Sequence, residues 1–306
     1  MSYPLSPEAR ALQAAVRKYV DEELIPWEVH AEMNHGEVPP EVHERQKREA
    51  RRIGLSSMDA PRELGGGGAS MLLQAVAQEQ TGRVTNALGW RFSNVQKWMV
   101  KACSPHQIET WVKPLIADKR HECYAITEAE AGSDVDAIQA TARRDGGHYM
   151  LNGEKWHVTS GNLADVIIFQ AKLADGPNAG AHCLFFVDSD TPGIEVVRSP
   201  AYTHTFAAHH PIYRFTNVRV PEANRIGAEG DGMGFTHDWF RYERLMIGAR
   251  CCGAAARLID EATAFAKQRQ LFGQKLAEMQ AIQFMLADSL TELWAARLMV
   301  YQTAAG

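Results

Sequence analysis

The sequence predicts an α+β multidomain protein, with a helical segment over 1–119, an all-β segment over 120–226 and a second helical segment over 227–306. Three observations predict it. Helical periodicity with Pro and Ser at its boundaries fills the first third of the chain. From about residue 120, short apolar or alternating runs separated by turn residues replace it. After the Gly-rich stretch 227–234, helical periodicity resumes and holds. At 306 residues with 45% hydrophobic content, the chain is long enough for two or three domains with cores of their own.

In chain order, Pro7-Glu8-Ala9 opens the first helix, Pro39-Pro40 precedes a charged second one, and 70–85 reads as a third. Helical patterns continue over 90–102 and 105–118. The run Pro61-Arg62-Glu63-Leu64-Gly65-Gly66-Gly67-Gly68 is too rich in Gly for an element interior. It lacks the Lys-Ser/Thr of a nucleotide loop and no strand feeds it, so it reads as a tight connection before the third helix. In the middle segment, 143–149 reads as a hairpin, followed by strands at 166–171, 182–187 and 212–215. Two long helices follow, from about 235 to 270 and from about 276 to 304. There is no internal repeat.

Composition narrows the function classes. The formal net charge is −5 and no basic tract stands out, which argues against nucleic-acid and membrane-surface proteins. No apolar run reaches transmembrane length, and Met1-Ser2-Tyr3-Pro4 does not open a signal peptide, so a soluble cytoplasmic protein is expected. Cys103, Cys123, Cys183, Cys251 and Cys252 are odd in number and show no Cys-x-x-Cys spacing. Neither a disulfide framework nor a metal site is expected, and the adjacent Cys251 and Cys252 read as small apolar filler on different helix faces.

Two stretches carry the chemistry. The first, Tyr124-Ala125-Ile126-Thr127-Glu128-Ala129-Glu130-Ala131-Gly132-Ser133-Asp134, reads as a short strand running into a turn of small residues. There Gly132 can take φ > 0 and backbone N–H groups can converge on an anion such as pyrophosphate. The second is Asn152-Gly153-Glu154-Lys155-Trp156-His157-Val158-Thr159-Ser160-Gly161. Together they resemble the flavin-binding signature of the acyl-CoA dehydrogenase family, and the likeness extends more loosely along nearly the whole chain.

The resemblance implies a β-barrel between an N-terminal helical bundle and a C-terminal bundle of four long helices. This chain shows two of the four, so an incomplete C-terminal bundle with an exposed apolar face is expected. FAD is the implied cofactor. By resemblance, Tyr124, Ala125, Ile126 and Thr127 line the flavin ring, with the Thr127 hydroxyl at its pyrimidine edge. Gly132 and Ser133 hold the pyrophosphate, Ser133 also touches the CoA portion of the substrate, and Thr159 matches the Thr that reaches flavin N5. His157 falls where the family has a flavin-packing Trp, with Trp156 one place earlier and, on a strand, facing the other way. Either His157 packs near the flavin or it is an ordinary half-buried strand histidine.

Removing a proton α to a thioester needs a carboxylate whose pKa is raised by an apolar setting. In Arg241-Tyr242-Glu243-Arg244-Leu245-Met246-Ile247, the helical neighbours of Glu243 are Trp239, Phe240, Met246 and Ile247, none expected to pair with it. Glu243 is therefore a candidate base, a cross-helix salt bridge being the alternative. The isovaleryl and long-chain branches of the family carry their base in a similar Glu-Arg-Leu run. Most other members carry it near the end of the C-terminal domain, in a segment this chain lacks, which also supplies a backbone N–H to the thioester oxygen. By match of position Arg241 and Arg244 would lie near the CoA site, although either, Arg241 above all, also reads as a surface charge. Arg269-Gln270-Leu271-Phe272-Gly273 matches a family run in which Arg269 and Phe272 would contact FAD bound mainly by a neighbouring subunit, implying a homodimer or homotetramer; a helix ending at a Gly cap explains Gly273 alone.

The function implied is FAD-dependent α,β-dehydrogenation of an acyl-CoA to the trans-2-enoyl-CoA, as in fatty acid metabolism. Electrons pass to an electron-transfer flavoprotein or similar acceptor. A flavin oxidase or monooxygenase on the same fold is one alternative. A non-catalytic assembly partner is the other.

Overall fold

The computed structural model describes residues 3–306 apart from 91, 93, 94, 96, 205, 206 and 208. Its element order is helices, sheet, helices. α1 (Pro7–Tyr19) starts with Pro in its first turn, and the Ser6 hydroxyl caps it by accepting from Ala9 N at 3.1 Å. α2 (Glu28–Met33), α3 (Pro40–Arg52) and α4 (Met71–Thr81) follow, the last capped by Ser70. α5 (Lys97–Ala102) covers the end of the helical pattern expected over 90–102; positions 91, 93, 94 and 96 of that pattern lie outside the described residues. α6 (Pro105–Gln107) and α7 (Lys113–Ile116) are joined by a π-helical turn, Ile108–Val112. The Gly-rich run is a tight connection, closed by Gly66 N to Pro61 O at 3.0 Å and Gly68 N to Ala60 O at 2.9 Å.

β1 (Glu122–Ala125), β2 (Thr141–Asp145), β3 (His148–Lys155), β4 (Val166–Leu173), β5 (His182–Asp188), β6 (Ile194–Arg198), β7 (Ile212–Pro221) and β8 (Arg225–Ile226) form one eight-stranded sheet. Their order is β6-β7-β3-β2-β4-β5-β8, with β1 parallel to β4. The expected hairpin is β2 and β3, turning at Gly146-Gly147. β6 is a strand the sequence does not signal, because it is a half-exposed edge pairing only with β7.

β4 and β5 are buried on both faces, which is why they read as unbroken apolar runs. Ile167, Phe169, Cys183, Phe185 and Val187 point into the core that the sheet wraps, with Tyr149, Leu151 and Phe215. Val166, Ile168, Leu184 and Phe186 point the other way, under Trp98, Met99, Trp111 and Leu115 of the helical segment. β1 obeys the same alternation: Cys123 and Ala125 face inward, and Tyr124 faces the helices.

α8 (Gly232–Gln268) is a 37-residue helix. The short strands β9 (Gln270–Leu271) and β10 (Gln274–Lys275) and then α9 (Gln280–Ala305) follow it. α8 crosses α4 with backbones nearly touching: a Cβ at Gly253 would lie 1.8 Å from Glu79 O, and one at Gly82 would lie 2.2 Å from Arg250 O. Arg257 ties α8 to α2, donating to both carboxylate oxygens of Glu28 at 2.6 and 2.7 Å. Leu258 and Phe265 on α8, and Phe284, Met285, Trp294 and Met299 on α9, are exposed. Among the described residues no helix is long and apolar enough to cross a membrane, and no group of acidic, His or Cys side chains is arranged to hold a metal ion. All five cysteines are free, three of them buried.

Gly253→Ala forces α4 and α8 apart, and urea unfolding is expected to show a loss of about 1–3 kcal/mol. An unchanged midpoint would mean that the crossing is not set by that glycine.

Candidate active site

The site is built around the end of β1. The Lys155 side chain is 0% exposed, and its ammonium donates to Ile126 O and Glu128 Oε1, both at 2.8 Å, beneath the Phe169 ring at 5.3 Å. Glu128 also accepts from Gln139 N at 2.6 Å and Ala140 N at 2.9 Å. Next along the chain, Trp156 N donates to Thr127 O at 2.8 Å. Burial pushes the Lys155 amine down to about 8, against the pull of Glu128. Lys155 and Glu128 thus fasten the two sequence motifs to each other, a role that their spacing alone does not reveal.

This clamp fixes where the residues of the first motif point. Tyr124 is half-buried toward the helices, and Thr127 is half-buried at the end of the segment. Ala125 is 0% exposed inside the sheet's core and Ile126 is buried, so Ala125 can meet a ligand only through its backbone. Gly132 and Ser133 are both exposed. Gly132 does not have positive φ, contrary to expectation, because the chain has already reversed at a tight turn in which Glu128 and Ala131 exchange both backbone hydrogen bonds, at 3.1 and 3.2 Å. What Gly132 offers instead is open space, since a Cβ there would meet nothing within 4 Å.

The second motif leaves its strand earlier than the sequence suggests. β3 ends at Lys155, and His157 has φ 54°, so strand alternation does not govern Trp156 and His157. His157 is exposed, not half-buried in a strand, and its Nδ1 lies 2.7 Å from Tyr202 Oη. Trp156 Nε1 donates to Glu154 at 2.8 Å, and the Arg198 guanidinium lies 5.8 Å from its ring. Thr159 is exposed, with its hydroxyl 3.0 Å from His210 Nδ1.

Glu243 reaches the other side of Tyr124. The Tyr124 ring stacks on Trp239 of α8 with centroids 4.2 Å apart, and its edge meets Trp98 of α5. Burial, then the nearby Glu122 and Glu243, pushes the Tyr124 phenol up. Glu243 follows Trp239 by one helical turn, and burial holds its carboxyl above the ordinary range. A hydrogen bond from the Trp239 indole and the Arg250 charge oppose that rise. The expectation that no helical neighbour pairs with Glu243 is therefore corrected: Trp239 is apolar over most of its surface but carries an N–H donor.

Arg250 is a charged neighbour of Glu243 that local sequence patterns do not reveal. It lies two turns beyond Glu243 on α8, is buried, and sits 3.9 Å from the Trp90 ring centroid. Its guanidinium donates to Gln78, Thr81 and Asn86 side chains, each at 3.2 Å. Burial lowers it to about 10, with Glu243 pulling the other way. Arg241 is 71% exposed and pairs with Asp238, while Arg244 is exposed and lies over the Phe240 ring.

Arg269 and Phe272 are not brought to this site. Helix α8 separates them from Glu243, which at about 1.5 Å per residue puts Arg269 roughly 40 Å away along the axis. Phe272 and Gly273, both at positive φ (52° and 76°), form the two-residue turn between β9 and β10. Gly273 is thus a hairpin residue and not the cap of α8, and Phe272 stands 94% exposed at the hairpin's tip.

Three family models cover the chain: the acyl-CoA dehydrogenase N-terminal domain over 6–119, middle domain over 123–218 and C-terminal domain over 230–306. An acyl-CoA dehydrogenase of Bacillus subtilis is 33% identical over 257 residues, covering 82% of this chain and 67% of its own length. The caffeyl-CoA reductase-Etf complex subunit CarC of Acetobacterium woodii is 28% identical over 303 residues, 98% of this chain and 79% of its own. Among solved structures, a glutaryl-coenzyme A dehydrogenase in complex with glutaryl-CoA superposes with a TM-score of 0.88 at 28% identity, over 100% of this chain and 78% of that one.

Lys155→Met removes the clamp and leaves Glu128 without its buried cation. Calorimetry is expected to show a loss of about 3 kcal/mol or more, because one half of a buried pair is left uncompensated; a neutral or stabilising effect would show that the pair does not hold the motifs together.

Proposed function

Because the chain belongs to the acyl-CoA dehydrogenase family, we propose that it is an FAD-dependent oxidoreductase that dehydrogenates an acyl-CoA thioester with Glu243 as base. The observation that carries this reading is a carboxylate held above its ordinary range by burial, one turn from an indole that stacks on the Tyr124 ring of the motif.

The donors fit FAD. Thr159 and Ser133 hydroxyls are exposed, the space beside Gly132 is open, and the backbone from 126 to 128 is held rigidly by Lys155. In this reading Thr127 and Thr159 bind the flavin's edges, Tyr124 and His157 flank it, and Gly132 and Ser133 take the pyrophosphate. FAD, when bound, supplies the acceptor for the hydrogen and electron pair leaving the β carbon. Glu243 takes the α proton, and the electrons of that C–H bond become the new Cα=Cβ bond. The Trp239 indole and Arg250 favour the ionised carboxylate against the effect of burial. Ser133, Arg241 and Arg244 are the candidates for the CoA portion.

Arg269 and Phe272 stand roughly 40 Å along α8 from Glu243, and in this reading they serve a flavin on a second copy of the chain, within a homodimer or homotetramer. CarC is by name a subunit of an Etf complex, and an electron-transfer flavoprotein is accordingly the proposed electron acceptor.

Anaerobic addition of acyl-CoAs of graded chain length to the FAD-loaded protein is expected to bleach the flavin, with little peroxide formed in air. Copious peroxide would move the reading to an oxidase. Glu243→Gln should bind FAD as before and lose about 10²–10⁴-fold in turnover, the range for loss of a general base; near-normal turnover would remove Glu243 from the mechanism. The acid limb of the kcat/KM profile should lie above the ordinary carboxylate range, since the base must be ionised, and Arg250→Met should move that limb further up.

A further inference from the structure

The loop between β6 and β7 carries a group of rings that the proposed reaction does not use. His210 Nδ1 lies 3.0 Å from Thr159 Oγ1, and His210 Nε2 lies 3.1 Å from His204 Nε2. His204 stacks on Tyr202 at 5.1 Å, and Tyr202 Oη lies 2.7 Å from His157 Nδ1. The placement of His210 is built in. Val158 N donates to Pro211 O at 3.2 Å and Ser160 N donates to His209 O at 2.9 Å, so backbone bonds on either side hold Thr159 and His210 opposite each other. Asn162 fastens the same loop, donating to Ala207 O at 2.9 Å and accepting from His209 N at 2.7 Å.

We propose that His210, backed by His204, is the positioning residue for the Thr159 hydroxyl and sets whether that hydroxyl donates or accepts. The inference rests on the reading above, in which Thr159 faces the flavin. Two facing Nε2 atoms within hydrogen-bond distance share one hydrogen. When His210 gives it, a neutral His210 has a bare Nδ1, and the Thr159 hydroxyl is used up donating to it. When His204 gives it, His210 carries its hydrogen on Nδ1 and donates to Thr159 Oγ1, and the threonine's own hydrogen is available to a ligand acceptor.

One added proton enforces the second arrangement whichever ring holds it. A second added proton would set two N–H groups against each other, so the pair takes only one. The titratable groups described around His210 are His204, His157, His209 and Tyr202; burial, followed by the three histidines, holds His210 below the ordinary imidazole range. Oxidised flavin presents a bare ring nitrogen as an acceptor, and the protonated pair therefore favours it.

The test is FAD affinity between about pH 8 and pH 5, the window in which imidazoles titrate, for the wild type, His210→Phe and His210→Gln. Wild-type affinity should rise about fivefold toward acid, the worth of roughly one hydrogen bond. His210→Gln, whose amide donates at any pH, should bind tightly with a flat profile, and His210→Phe should bind weakly with a flat profile. A flat wild-type profile, or the wild-type slope surviving in His210→Phe, overturns the proposal while leaving the proposed function standing. If FAD binds none of the three, the proposed function fails instead. The pair is then decided by ring-nitrogen NMR of the flavin-free protein: one shared proton and an acid form with hydrogen on His210 Nδ1 support it, and two independent titrations overturn it.

Discussion

A buried ammonium holds the candidate site together. Lys155 is excluded from water, and its donors are spent on a backbone carbonyl of the first motif and on Glu128, which in turn holds the start of the segment leading to β2. A charge in that position is tolerable only because its partners are fully arranged around it. The consequence is that Thr127, Trp156 and the residues after them have fixed relative positions, although a turn, β2 and half of β3 separate the two motifs in sequence. Loosening the ammonium would let every ligand-facing group on that side of the site drift.

The other side of the site is delivered by α8, and its position depends on contacts far from Glu243. Gly253 and Gly82 let α8 and α4 approach backbone to backbone, and Arg250 fills the adjoining space with a guanidinium that faces the α4 side chains. Glu243 is then caught between burial, which favours the neutral acid, and Arg250 and Trp239, which favour the anion. A general base needs that balance: ionised at working pH, yet basic enough to take a carbon-bound proton.

Much of this was legible in the sequence, and for physical reasons. Strands buried on both faces must be apolar throughout, so β4 and β5 announce themselves, and Pro7, Pro39-Pro40 and Ser70 mark helix starts where the structure has them. The differences share a physical cause: each residue lies beyond the end of the element whose local rule would govern it. Strand alternation does not reach Trp156 and His157, because β3 stops at Lys155. Gly132 has no need of positive φ, because the reversal is completed by Ala131. The helix-cap alternative for Gly273 does not hold, because Gly273 belongs to a two-residue hairpin beyond the helix. Arg250 and the Lys155 clamp could not be read at all, because their partners are distant in sequence and only packing brings them together.

The measurement that bears most directly on Glu243 separates proton removal from everything that follows it. A thioester whose β position cannot lose hydride, such as a 3-thia-acyl-CoA, is incubated in D₂O with the FAD-loaded protein, and loss of its α-proton signal is followed by NMR. Exchange in the wild type that disappears in Glu243→Gln, with ligand affinity retained, is the predicted result. Exchange persisting at the wild-type rate in Glu243→Gln would mean that another group takes the proton and that the half-buried carboxylate on α8 has a different purpose.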